Sequence, residues 1–239
     1  MKCLIRTITL FFLGLLPLLS SAQELYPDAF LTLPAANDNE EATYTLLSNA
    51  KSHMAAQPEV ALTELESALS NSIDQKSTRG KAYTYSYIAS VNLYHERYDL
   101  ALRNYKRASR AFNDLNFTAG VNHCYKYLGL TYEMGGNPKK GAEQLELYLA
   151  ALRDPQAWAV MLWTRERLGV IYFSMNNREA SERNYKEAVR VQQTGNDTVG
   201  LIDSYNDLGT YYLNTNNAPE AVQQYQNSVD LATTLQDTV

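Results

Sequence analysis

Leu168-Gly169-Val170-Ile171-Tyr172 decides how this chain is read, because the pattern returns in phase along the sequence. Leu208-Gly209-Thr210-Tyr211-Tyr212 stands 40 residues later, and Leu128-Gly129-Leu130-Thr131-Tyr132 40 residues earlier. Ala89 and Asn49 continue the glycine column toward the N-terminus. Twelve residues beyond that column sit Ala61, Ala101, Gly141, Ser181 and Ala221. Four further on come Leu65, Tyr105, Leu145, Tyr185 and Tyr225, and three beyond those Ala68, Ala108, Tyr148, Ala188 and Ser228. Five units keep this register without insertion or deletion, and such a fixed period is the mark of a repeat architecture.

The columns carry a physical meaning. Small residues recur where two helices must approach closely, and large rings recur at helical spacing from them, as knobs that fill the space between neighbours. Gln57-Pro58 and Asn137-Pro138 place proline at a helix start, where its missing N–H leaves no bond unmade. Asn176-Asn177 and Asn216-Asn217 mark the same bend. Each unit therefore reads as helix A, short turn, helix B. Neither helix buries its apolar stripe alone, so the units stack. Between units Thr78, Thr118, Thr198 and Thr238 align, as do Gly80, Gly120 and Gly200.

The order L-G-x-x-Y, small residue, aromatic, small residue resembles the tetratricopeptide repeat. The 40-residue period, with a T-x-G column before helix A, looks like the longer-helix variety found in the extracytoplasmic region of bacterial sensor proteins. The resemblance runs from about Glu41 to the C-terminus. It implies an all-α fold, a right-handed superhelical solenoid of five antiparallel helix hairpins, with units at about 42–81, 82–121, 122–161, 162–201 and 202–239. The first unit departs from the pattern by lacking the Gly and Tyr of helix A. The junction of the third and fourth units departs as well: Tyr148 replaces a small residue, Arg165 falls where Tyr85, Tyr125 and Tyr205 stand in other units, and Asp154-Pro155 restarts the helix.

The N-terminus carries a different signal. Lys2 and Arg6 precede an apolar run from Ile8 to Leu19, and Ser20-Ser21-Ala22 offers small residues before a cut at Gln23. That is the layout of a secretory signal peptide, residues 1–22. The run is about a dozen residues, short of the roughly 20 a spanning helix needs. An exported chain, periplasmic or secreted and without a membrane span after cleavage, is expected. Cys124 is then the one remaining cysteine, so an internal disulfide is impossible and stability comes from packing. Residues 23–39, with Pro27, Pro34 and Asn37-Asp38-Asn39, read as a flexible leader, and Asp38 with Glu41 resembles a capping box. The net charge is −5, and loss of Lys2 and Arg6 takes it to −7. That balance excludes a nucleic-acid binder, which needs clustered Lys and Arg.

The residues offer little chemistry. His53, His95 and His123 occupy different phases of the repeat, without Cys or carboxylate at metal spacing, so no metal or cofactor is expected. Gly136-Asn137-Pro138-Lys139-Lys140-Gly141 lacks the Lys-Ser/Thr of a phosphate loop and sits in a helix–helix turn. Cys124 reads as a buried structural thiol. Glu64 and Glu66 read as solvated helix-face charges. An enzyme is the remotest reading, because no nucleophile–base pair appears.

The tetratricopeptide resemblance does imply a place for a ligand. In that family helix A lines a concave groove, and its second, fifth, sixth, ninth and twelfth positions point into it. Here the second positions are Thr43, Tyr83, His123, Trp163 and Asp203. The fifth are Leu46, Ser86, Lys126, Glu166 and Asn206, and the sixth are Leu47, Tyr87, Tyr127, Arg167 and Asp207. Aromatic faces with interleaved charges suit an extended peptide or a partner helix. Trp163 is the expected anchor, with Trp158 at the start of the helix. Lys126 and Arg167 alone do not reproduce the carboxylate clamp of some relatives, so binding of a chaperone tail is not implied.

The expected function is a protein-binding or ligand-sensing scaffold outside the cytoplasm. It is either the sensor part of a longer signalling receptor of histidine-kinase type or a free-standing periplasmic adaptor. Asp237-Thr238-Val239 aligns with Asp197-Thr198-Val199, the start of another helix A, which favours the longer receptor. The last helix is expected to leave Val222, Tyr225, Val229 and Leu231 uncovered and open to self-association.

Overall fold

The computed structural model describes residues 30–35, 37, 40–152, 157–195 and 197–236. The proposed signal peptide, Asp38 of the capping box and Asp154-Pro155 lie outside these residues. Among them are ten α-helices and no strand: α1 (Glu41–His53), α2 (Pro58–Asp74), α3 (Thr78–Tyr94), α4 (Tyr98–Asp114), α5 (Thr118–Met134), α6 (Pro138–Ala151), α7 (Trp158–Ser174), α8 (Arg178–Gly195), α9 (Thr198–Asn214) and α10 (Ala218–Gln236). The all-α hairpin-repeat fold is the one the sequence predicts. None of these helices is long and apolar enough to cross a membrane.

Helix starts recur every 20 residues from Pro58 to Ala218, half the 40-residue repeat. The two helices of a hairpin are therefore of nearly equal length. The turn residues Lys76, Glu96, Asn116, Gly136, Asn176 and Asn216 keep the same 20-residue grid, each in the left-handed region with φ from 53° to 81°. Each such residue closes the helix before it. At the end of α4, Asn116 donates its N–H to Asn113 and Phe117 donates to Phe112 (both 2.9 Å). At the end of α7, Asn176 and Asn177 repeat the pair with Phe173 and Tyr172. This double bond across a left-handed residue satisfies carbonyls that a helix end leaves open.

The T-x-G columns lie inside helix A, not before it. Thr78, Thr118 and Thr198 are first helical residues, so the repeats start four residues earlier than the predicted 82, 122 and 202. The side chains of Ser77 and Asp197 cap α3 and α9 by accepting the N–H of Gly80 (2.8 Å) and Gly200 (3.1 Å). Glycine is needed there because the preceding helix B crosses close by. A methyl group on Gly80 would stand 2.5 Å from Ser72 Oγ, and one on Gly120 2.5 Å from the Phe112 ring.

The described residues fall into two compact units, divided between Tyr148 and Leu149. In the first, Ala61, Leu65 and Ala68 of α2 and Ala101, Tyr105 and Ala108 of α4 are wholly buried. In the second, Tyr185 and Val189 of α8 meet Leu208, Tyr211 and Tyr212 of α9 and Ala221 of α10. The Tyr105 hydroxyl shares a 3.0 Å hydrogen bond with Ser90, and Tyr225 repeats it with Thr210 at 3.1 Å.

Two expectations are corrected here. Tyr225 is not an uncovered residue of the last helix: its ring lies against Gly209, 2.9 Å from where a β-carbon would be. Only Val222 (66% exposed) and Val229 (56%) of the expected stripe stand open, and Leu231 is half-buried. The leader is not free along its described length either. Phe30 is buried at 6% exposure, and Leu31 and Leu33 after it are partly buried. The Glu40 carboxylate accepts from Ser77 at 3.0 Å and lies 3.6 Å from Arg79, which ties the start of α1 to α3.

Candidate binding groove

In the first compact unit the predicted groove residues come from α1, α3 and α5. Their i, i+3, i+4 spacing puts Tyr83, Ser86 and Tyr87 along one side of α3, and His123, Lys126 and Tyr127 along the corresponding side of α5. These residues do not share one degree of exposure. Thr43, Leu47, Tyr83, Ser86, Tyr87 and Tyr127 are buried, while Leu46, His123 and Lys126 are partly exposed. The sixth-position residues of this unit are thus buried, and the polar second and fifth positions of α5 remain partly exposed.

Polar and aromatic contacts fix these side chains. Ser86 Oγ and His123 Nε2 share a hydrogen bond at 3.2 Å. The His123 ring lies 4.7 Å from that of Tyr127, which stacks on Tyr105 at 5.8 Å. Lys126 Nζ stands 5.2 Å from the centre of the Tyr127 ring. Burial, and then the Lys126 ammonium, push the His123 pKa down to about 3, so the imidazole is neutral at ordinary pH. Tyr83 meets Phe112 edge-on at 5.2 Å and Tyr44 at 6.0 Å.

In the second compact unit, α7 carries Trp163, Glu166 and Arg167, and α9 carries Asp203, Asn206 and Asp207. Arg167 is buried at 4% exposure, Asp203 is exposed, and the other four are partly buried. Burial, then Asp207 and Asp203, raise the Glu166 pKa to about 7; burial, then Asp203, raise Asp207 to about 6. The three carboxyls form a cluster whose charge changes near neutral pH. Arg165 fills the aromatic position by another bond, donating to Asn184 Oδ1 of α8 at 3.0 Å. Trp158 opens α7 and its ring covers Gly195.

The remaining candidates have structural partners. His53 Nδ1 lies 2.9 Å from Glu64, so Glu64 is engaged and largely covered, not the solvated charge expected; Glu66 is exposed. His95 bonds the Met54 carbonyl at 2.9 Å. Cys124 is fully buried, and burial pushes its thiol pKa up, away from reactivity.

Sequence reasoning missed two features. Phe30 and Leu31 meet Tyr87, a residue of the candidate groove, and their only signal was an aromatic residue inside a Pro-containing leader. On α4, Arg103, Lys106, Arg107 and Arg110 are all exposed and line one cleft with Asp99 and Leu102. Their i, i+3, i+4, i+7 spacing was legible beforehand, although the negative total charge hid it.

A family model described as Tetratricopeptide repeat matches residues 160–234. No curated protein matches the sequence. Solved structures share the fold at low identity. A putative kinesin light chain with nearly identical TPR-like repeats from Podosopora anserina is 14% identical, with a TM-score of 0.65 over 84% of this chain and 99% of that one. BtubC from P. vanneervenii is 13% identical, with a TM-score of 0.56 over 84% of this chain and 93% of that one. A Signal Transduction ATPase with Numerous Domains with a tetratricopeptide repeat sensor, from Pyrococcus horikoshii, is 15% identical, with a TM-score of 0.67 over 82% of this chain and 31% of that one.

Proposed function

We propose that the chain is a tetratricopeptide-repeat scaffold, exported by its N-terminal signal, that binds a protein or peptide partner through the helix-A face. One observation carries this reading. Around the buried Tyr127 ring of the first unit, Ser86, His123 and Lys126 form an ordered polar set, two of whose members remain partly exposed. Rigid rings beneath a few fixed polar groups are what a peptide groove requires, since binding then orders few side chains. Trp163, Glu166, Arg167, Asp203, Asn206 and Asp207 supply a second set of contacts in the other unit. The tetratricopeptide match over residues 160–234 and the solved neighbours support the scaffold reading at the level of fold. The Pyrococcus protein, whose repeat region is called a sensor, supports a sensing part in a larger receptor.

A photoreactive residue placed at Lys126 tests the groove, with one at exposed Arg110 of α4 as control. The expected result is a partner adduct in the exported fraction from the Lys126 position and none from Arg110. Equal labelling from both sites, or none from Lys126, removes the reading. Export is tested by the mass of the recovered protein, expected to begin at Gln23; a retained Met1 contradicts it.

A further inference from the structure

Residues 30–35 are neither helix nor strand, yet Phe30 and Leu31 are held against the helix-A face of the first unit. The Phe30 ring meets the edge of Tyr87 at 4.5 Å, and Lys51 Nζ stands 5.6 Å from its centre. The Tyr87 hydroxyl donates to the Leu31 carbonyl at 3.1 Å. Pro34 lines a cleft with Arg79, Tyr83, Leu115 and Phe117. Thr32, Pro34 and Ala35 are exposed and Phe30 is 6% exposed, so the aromatic ring is the anchor. One ring in an aromatic seat, one main-chain carbonyl taken by a fixed hydroxyl and a proline beside the neighbouring cleft make up the elements of a peptide-recognition mode. Tyr83 and Tyr87 are also groove positions by the repeat pattern.

We propose that α1, α3 and the turn between α4 and α5 form a seat for a peptide carrying an aromatic residue followed four positions later by proline, and that residues 30–35 are the chain's own occupant of it. The proposal rests on the groove reading above and names its ligand class. A tethered occupant acts at an effective concentration of about millimolar, so a free peptide of the same kind must displace it. The leader thus sets the affinity threshold that a partner has to pass.

The test is fluorescence anisotropy of a labelled peptide with the sequence of residues 30–35, titrated with the intact chain, with Phe30→Ala, and with Phe30→Ala combined with Tyr87→Phe. Phe30→Ala should raise probe affinity at least tenfold over the intact chain, and the added Tyr87→Phe should reverse most of that gain. A probe with alanine in place of its phenylalanine should not bind. Equal probe affinity for intact chain and Phe30→Ala overturns the proposal, as does binding indifferent to Tyr87→Phe. Should Phe30→Ala unfold α1, Tyr87→Phe alone in the intact chain keeps the question open to a result. Amide exchange of residues 31, 32, 33 and 35 should then quicken severalfold with α3 unchanged, and unchanged exchange overturns the proposal. A partner adduct at Lys126 without probe binding removes the leader's role and leaves the groove; failure of both removes both.

Discussion

The Tyr185 ring lies so close to Gly169 that a β-carbon added there would stand 2.9 Å from Cε2. Glycine in mid-helix normally weakens a helix by about 1 kcal/mol relative to alanine. Here the absent side chain is what lets α8 seat its tyrosine on α7. Gly209 and Tyr225 repeat the relationship 40 residues later.

Gly169→Ala should therefore destabilise despite the better helix propensity. Overpacking costs about 1–3 kcal/mol, which exceeds the propensity gain. Thermal unfolding of this variant checks it, and a raised melting temperature contradicts the contact.

Ala101 is wholly buried where α4 meets α3. Ala101→Leu should lower stability by about 1–3 kcal/mol through the same crowding. Chemical denaturation reads the loss, and an unchanged midpoint means that the small-residue column does not mark the hairpin contact.

Lys76 and Glu96 hold φ of 53° and 58°, a region that a side chain with a β-carbon rarely adopts. Lys76→Gly and Glu96→Gly should each stabilise by up to about 1 kcal/mol, the relief of left-handed backbone exceeding the entropy glycine adds to the unfolded chain. Asn116→Gly should change stability less, because asparagine tolerates this region. Equal effects at all three positions contradict the argument.

Glu166 and Asp207 have raised pKa values, so the folded chain still holds their protons at pH values where the unfolded chain has released them. Stability should fall as pH rises from 4.5 to about 7 and then level off. Glu166→Gln should flatten this slope and stabilise the chain at pH 8 by about 1 kcal/mol, discounted for solvent reaching the cluster. Melting temperatures of both proteins from pH 4 to 8 decide it; parallel curves contradict the assignment.

The sequence by itself determined the hairpin repeat. Its small residues, tyrosines and turn prolines recur at a fixed period, and a helix pair that must stack on its neighbour repeats its contacts at that period. The columns that hold Gly129, Leu145, Gly169 and Tyr185 marked close helix approach, and the structure pairs Gly129 with Leu145 and Gly169 with Tyr185. The helix boundaries were misjudged by four residues because Thr78 and Gly80 resemble a linker when read alone. Gly80 is explained only by Ser72 of the preceding helix, which crosses beside it. Likewise, helix position assigned residues to the expected groove but did not fix their exposure. Tyr127 packs on the Tyr105 ring of α4, and Tyr87 on Phe30 from 57 positions upstream. The leader carries no period, so nothing local tied Phe30 to Tyr87. The contact forms only when folding brings α1 beside α3 and creates the aromatic seat, and that is a property of the tertiary structure alone.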